Sequence, residues 1–264
     1  MDNTEFAVFY DNQPDYVAFR NDKEKQNEYK TMVDWKVRKL TGVIPDTLSF
    51  SNILEVGCAF GVLLNNIADR LSIETRTGID ISGENIKTAR IQYPGCEFFR
   101  GTLEDYVQEK SYILKNHKHD LIVLSDIIEH IPDDLEFLKL VKQVSEYVVV
   151  NLPLERSFKN RNRIYGIDDP SGHLKCYDKK LAKKLFNDAG FLLIRDQTST
   201  ATSDVEFFKI YKKNRQLRVM AKPFLRRIFW WLFYAIEDKF KLISKRISER
   251  IYGTNYFVFL RSSR

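Results

Sequence analysis

A doubly wound α/β fold is predicted by three features of these 264 residues. Short apolar runs alternate with amphipathic stretches of helical period, as in a mostly parallel sheet with helices on both faces. An apolar run at 52–56 passes through Glu55 into a turn of small residues, Gly57, Ala59 and Gly61. The next strand ends in a lone carboxylate, Asp80.

The elements follow in chain order. A helix is expected over 23–40 and the first strand at 52–56, with a helix after it carrying Leu63, Leu64, Ile67, Ala68 and Leu71 on one face. The second strand is placed at 77–81, and Ser82 is positioned to cap a helix that must end before Pro94. A third strand at 97–100 leads into a helix from about 103. A fourth strand is expected at 120–124, whose residues after Asp120 are all apolar, as in a strand buried on both faces. Asp133 or Asp134 starts a helix bearing Leu135, Leu138 and Val141, and a strand follows at 147–150. Asp178 caps a helix ending at Ala189 and Gly190, and strands at 191–194 and 256–260 complete the set. The chain divides into an N-terminal segment and helix, 1–50, and a domain over 51–264 with a basic helical insertion at about 212–253.

Three widely spaced cysteines, Cys58, Cys96 and Cys176, suggest neither a disulfide framework nor a zinc cage. The first residues are acidic and lack the basic and apolar regions of a signal peptide. The longest apolar run, 228–236, is nine residues, against about 20 for a bilayer span. The expectation is a soluble, cytoplasmic protein. Charge is uneven: 209–250 holds thirteen basic residues and three acids, a net +10 that leaves −4 for the remainder of a +6 chain.

Glycines in the first turn let a ligand approach the backbone, and a carboxylate closing the second strand can accept from both hydroxyls of a ribose. Glu55 would repel a pyrophosphate and suits a cationic ligand carrying an ammonium and a sulfonium. On ILEVGCAFG at 53–61 and GIDIS at 78–82, the chain resembles the class I S-adenosylmethionine-dependent methyltransferases. Within that family it looks like the ubiquinone-biosynthesis O-methyltransferase group. Ala59 departs from the glycine many members carry.

The resemblance implies a Rossmann-like sheet of seven strands, the last antiparallel beside the fifth. It assigns Glu55, Gly57, Cys58 and Gly61 to the methionine end of S-adenosylmethionine, Asp80 and Ile81 to the nucleoside, and Ser125 to the wall of the site. Adenine is expected against Leu103, with Thr102 or Glu104 reaching its amine; Thr102 and Asp105 also have the spacing of a helix cap.

In SDIIEHIPD at 125–133, Asp126 precedes Glu129 by three and His130 by four, which on a helical turn brings all three to one side. Two catalytic readings are open. His130 can act as a general base oriented by an acid. Alternatively Asp126, Glu129, His130 and a later His173 hold magnesium, manganese or iron, a pattern similar to that of metal-dependent members of the family. A satisfied structural cluster is the third reading. His117 and His119 read as a solvated loop, and Arg156, Arg161 and Arg163 suit an anionic group on an acceptor or simply a polar surface.

The expected function is O-methylation of a small-molecule, glycan or lipid-linked acceptor. RNA methylation is an alternative, and a non-catalytic S-adenosylmethionine-binding partner subunit is another. The basic insertion is read as a lid packing Phe224, Ile228, Trp231, Leu232 and Ala235 on the domain, as a peripheral contact with an anionic membrane, or as a nucleic-acid surface.

Overall fold

Side chains of the central strands alternate between two apolar layers, and helices cover both. The computed structural model describes residues 3–158, 160–166, 169–200, 209, 213, 216, 219–220, 223–243 and 253–263. In order these form α1 (Asn3–Asn12), α2 (Pro14–Asn21), α3 (Lys23–Val43), β1 (Asn52–Val56), α4 (Val62–Leu71), β2 (Thr75–Asp80), α5 (Gly83–Gln92) and β3 (Glu97–Arg100). There follow α6 (Leu103–Glu109), α7 (Ser111–Asn116), β4 (His119–Ser125), a 3-10 turn at Ile128–His130, α8 (Asp134–Val144) and β5 (Ser145–Leu154). The last elements described are α9 (Lys179–Asp188), β6 (Phe191–Ser199), α10 (Phe224–Ile243) and β7 (Thr254–Ser262).

The seven strands lie in the order β3-β2-β1-β4-β5-β7-β6. Pairing is parallel from β3 to β5, and β7 runs antiparallel to both β5 and β6. Ile53, Leu121, Val123, Phe257 and Phe259 face one apolar layer with α3, α4 and α5. Their neighbours Leu54, Ile122, Leu124, Val258 and Leu260 face the other, with α8 and α9. Strand order reverses between β1 and β4, so a crevice opens at their carboxyl ends.

Local rules account for most boundaries. Ser82, Asp133 and Asp178 cap α5, α8 and α9, accepting from the N–H groups of Asn85, Glu136 and Leu181. β6 extends five residues past the expected end because β7 pairs with it from Phe191↔Ser262 to Ser199↔Asn255. Partnership across the ladder, rather than apolar content, carries Arg195, Asp196 and Gln197 into the strand.

Two regions depart from expectation, the N-terminus and the basic insertion. α1 and α2 are helices that the polar N-terminal stretch did not announce. Rings anchor α2 beside α3: Phe19 stacks on Phe60 at 3.9 Å and 8°, and Tyr16 and Tyr29 meet Phe60 edge-on at 5.4 and 5.6 Å, while Tyr10 of α1 lies 6.3 Å from Tyr16. Phe60, fully buried, thus joins the loop after β1 to the N-terminal helices. The lid packing expected of the insertion is not what α10 shows. Phe224, Ile228, Trp231 and Leu232 are 48–72% exposed and Ala235 is exposed. Half-buried Trp230 and Tyr234 take the opposite side. The rest of 212–253 lies outside the described residues, apart from 213, 216, 219–220, 223 and 253.

Phe60→Ala should therefore lower stability by about 3–5 kcal/mol and loosen α1 and α2 first. Denaturant unfolding checks the first effect. Limited proteolysis checks the second, with cuts expected near 12–22 before any in the sheet.

Candidate active site

Asp80 ends β2 buried, and each of its oxygens already holds one backbone N–H. Oδ2 accepts from Ala59 N at 2.8 Å and Oδ1 from Ser82 N at 2.8 Å. The turns after β1 and β2 are thereby tied together. Gly57 N and Cys58 N both donate to Ile79 O, folding the loop back over β2. Gly78 makes room for this, since a Cβ there would lie 2.8 Å from Cys58 Sγ. Burial pushes the Asp80 carboxyl up to about 6, with these two N–H groups opposing it. Each oxygen keeps a second lone pair for a ribose hydroxyl.

A cavity of about 760 Å³ opens over this loop. Glu55, Gly57, Cys58, Asp80, Ile81, Thr102, Leu103 and Ser125, the residues expected at the cofactor together with Gly61, all line it. Gly61 does not. It is the residue before α4, with φ +73°, and a Cβ there would strike Phe98 at 2.8 Å, so its task is the turn and not the ligand. Thr102 is spent largely on a capping box: its Oγ1 accepts from Asp105 N and Asp105 Oδ2 accepts from Thr102 N. Glu104, the other residue expected near the adenine, is also on the wall.

Glu55 is 2% exposed, and its Oε2 has no hydrogen-bond partner among the described residues. Burial pushes its carboxyl up to about 8. An orphaned, buried acceptor in a cavity wall fits a cationic donor group such as an ammonium. With Asp80 beside it, the wall fits S-adenosylmethionine: Glu55 for the amino-acid end and Asp80 for the ribose.

The far side of the cavity is built differently from expectation. Asp126 adopts φ +54° as the chain leaves β4. Its Oδ2 accepts from Lys36 Nζ at 2.7 Å, Ser125 Oγ at 2.9 Å and Asn151 Nδ2 at 2.9 Å. Burial would raise its pKa, but Lys36 overrides this and holds the group below the ordinary carboxylate range. The backbone then forms a 3-10 turn, so the helical spacing that grouped Asp126 with Glu129 and His130 does not apply. Asp126 is corrected from metal ligand: it stands on the cavity wall as the anchor of Lys36, outside the group of Glu129, His130 and His173.

Glu129, His130 and His173 do come together, with ligand atoms within 4.8 Å of one another. His130 lines the cavity and Glu129 and His173 do not; His130 Nε2 lies 3.9 Å from Glu129 Oε1. Gly172 O, 2.9 Å away, requires a proton on His130 Nδ1, which leaves the lone pair on Nε2. Tyr10 Oη lies 3.0 Å from the same Nδ1. Burial lowers the imidazole to about 4, so it is neutral near pH 7. His173 Nδ1 pairs with Glu155 Oε2 at 2.7 Å. Neither carboxyl oxygen of Glu129 has a hydrogen-bond partner among the described residues, and burial raises that group far above its usual range.

The arginines expected near an acceptor are committed elsewhere. Arg163 forks onto Asp169 at 2.6 and 2.8 Å and reaches Glu155 at 2.6 Å. Arg156 pairs with Asp178, and Arg161 lies over the Phe158 ring. None lines the cavity. His119 is no loop residue: it opens β4, bonded to Tyr106 Oη and Asn52 Oδ1. Residues that sequence reasoning missed are Lys36 and the lining rings Phe6, Tyr10, Tyr16 and Tyr29. Their signal was the density of aromatics among the first thirty residues.

A methyltransferase-domain family model matches residues 16–195. Over 94 residues the chain is 31% identical to the ubiquinone biosynthesis O-methyltransferase of Actinobacillus pleuropneumoniae serotype 5b (strain L20), covering 34% of this chain and 39% of that protein. Over 105 residues it is 27% identical to the protein of the same name from Pasteurella multocida (strain Pm70), covering 37% and 43%. These matches span less than half the length of either relative. The fold is similar to that of magnesium protoporphyrin IX methyltransferase from Synechocystis PCC 6803, with TM-score 0.59, 12% identity and coverage of 99% and 100% of the two chains. The chain belongs to the methyltransferase-domain family, as an S-adenosylmethionine-dependent enzyme of class I architecture.

Two outcomes follow. Asp80→Ala should weaken S-adenosylhomocysteine binding by roughly 1.5–3 kcal/mol in calorimetry. Glu55 is largely protonated in the free chain below its pKa of about 8 and must ionise beside an ammonium. Affinity should therefore rise with pH between about 6.5 and 7.5, with proton release on binding. Glu55→Gln should abolish that slope; a slope unchanged in this variant would place the ammonium elsewhere.

Proposed function

We propose that this enzyme methylates an oxygen of a small-molecule acceptor, with His130 as the base. The observation that carries the reading is the neutral His130 imidazole on the cavity wall, its Nδ1 fixed by Gly172 O and its lone pair left on Nε2. When bound, S-adenosylmethionine supplies an electrophilic methyl group, so the chain's own work is alignment and proton removal. Glu55 and Asp80 fix the two ends of the donor. His130 Nε2 receives the acceptor proton, and Tyr10 holds the ring from the side of α1. Lys36, paired with Asp126, places a positive charge on the wall that favours an acceptor oxygen as it becomes anionic. A base held near 4 suits an acidic hydroxyl such as a phenol, near 10, better than an alkanol. The curated relatives, ubiquinone biosynthesis O-methyltransferases by name, support an oxygen acceptor.

One observation favours a second reading. Glu129, His130 and His173 form a carboxylate–imidazole set, and both imidazoles have their Nδ1 atoms held from behind by Gly172 O and Glu155. Ligand imidazoles are oriented in this way in metal sites. The residues fit magnesium, manganese or iron, which would lower the pKa of an acceptor oxygen.

Release of S-adenosylhomocysteine in a screen of phenols, alkanols and amines tests the class; turnover confined to amines would overturn it. His130→Ala should lower kcat about 100-fold or more, with cofactor affinity unchanged. On the base reading, turnover survives a chelator. On the metal reading, the chelator abolishes turnover, manganese restores it, and thermal stabilisation by S-adenosylhomocysteine persists throughout.

A further inference from the structure

α10 lies at the centre of the segment with thirteen basic residues against three acids. At helical spacing Phe224, Ile228, Trp231, Leu232 and Ala235 share one face, and all five are exposed. Phe229, on the flank of that face, is 62% exposed. Arg227, one turn before Trp231, is exposed on the other flank of that face, and Arg226 is exposed opposite it. A folded chain rarely leaves so continuous an apolar surface in water unless something covers it.

The helix cannot serve as a bilayer span. Six of its twenty residues are charged (Arg226, Arg227, Glu237, Asp238, Lys239 and Lys241), and no described helix is long and apolar enough to cross a membrane. A helix with a broad apolar face, aromatic residues and flanking cations lies in the plane of a membrane surface, its rings at headgroup depth. A nucleic acid would use the cations but offers nothing that takes Ile228 and Leu232 out of water. A second copy meeting this face about a two-fold axis would bring two segments of net +10 together.

We infer that α10 docks this enzyme on an anionic lipid surface, with its Phe224–Ile228–Trp231–Leu232 face in the interface and the surrounding lysines and arginines on the headgroups. This stands apart from the identity of the acceptor and of the base. It gives the chain a second binding surface, for a partner recognised by charge and by apolar depth together.

The test uses the full chain with vesicles of phosphatidylcholine alone or mixed with phosphatidylglycerol. The protein should sediment with the anionic vesicles only and be released by salt. Trp35 is buried, so a blue shift of tryptophan emission on binding reports Trp230 and Trp231. Arg226→Gln with Arg227→Gln should weaken partitioning roughly 25-fold. Trp231→Glu with Leu232→Glu should abolish it, while S-adenosylhomocysteine still raises the melting temperature of that variant as in the parent, which shows that the domain is folded. Equal binding to neutral vesicles would overturn the inference. So would a concentration-dependent dimer, without vesicle binding, that the Trp231→Glu, Leu232→Glu variant loses. Salt-sensitive RNA retention that survives in this variant, again without vesicle binding, would overturn it in favour of a polyanion surface.

Discussion

The carboxylate of Asp80 holds the two turns that make the ligand crevice, and the remainder of the site is arranged around that junction. One oxygen draws in the loop after β1 and the other the start of α5. Both bonds are made in a buried setting, where each counts for more than it would in water. The same group fixes the backbone and still has lone pairs facing the cavity wall. A carboxylate can do both because it offers about four lone-pair positions. Where strand order reverses, no neighbouring strand covers this corner, so the polar junction is the floor of an open crevice rather than a buried defect.

From that floor the walls are contributed by distant parts of the chain. α3 supplies Lys36, α1 supplies Tyr10, and the segment after β5 brings His173 behind His130. Phe60 is what makes the N-terminal contribution possible: it sits in the cofactor loop and is stacked by Phe19 from α2. Asp11 adds a polar tie, accepting from Glu84 N at the start of α5. The N-terminal helices therefore touch both the Asp80 end and the His130 end of one cavity. Asn151 performs a similar task across the sheet, donating to Ser125 and Asp126 and accepting from Asn255 of β7.

What could be read in the sequence was governed by local rules. β1, β3, the small-residue turn, Asp80 and the Ser82, Asp133 and Asp178 caps are each decided by a few consecutive residues, and they lie where they were expected. The antiparallel β7 between β5 and β6 came from the family resemblance rather than from any property of 256–260. Asp126 was misplaced because helical spacing was assumed for a stretch that leaves a strand through a left-handed residue and a 3-10 turn. Lys36 and Tyr10 were not legible at all. A lysine on an amphipathic helix is ordinarily solvated, and only the docking of α3 on the sheet gives it a half-buried acid to pair with. The three arginines after β5 show the converse: their charge was visible, but the acids that engage Arg163 and Arg156 become neighbours only through the fold.

The unsatisfied oxygen of Glu55 has a bearing on the life of the protein as well as on its chemistry. A buried carboxyl without a partner is a standing cost to the empty fold, and a ligand that supplies the missing donor removes it. Donor and spent donor share the same amino-acid end, so either one stabilises the folded chain in proportion to its concentration over its dissociation constant. Small changes in folded fraction change how long a protein escapes degradation. The folded fraction of this enzyme should therefore rise with the supply of its own methyl donor, the unpaired Glu55 oxygen at the end of β1 being one contributor.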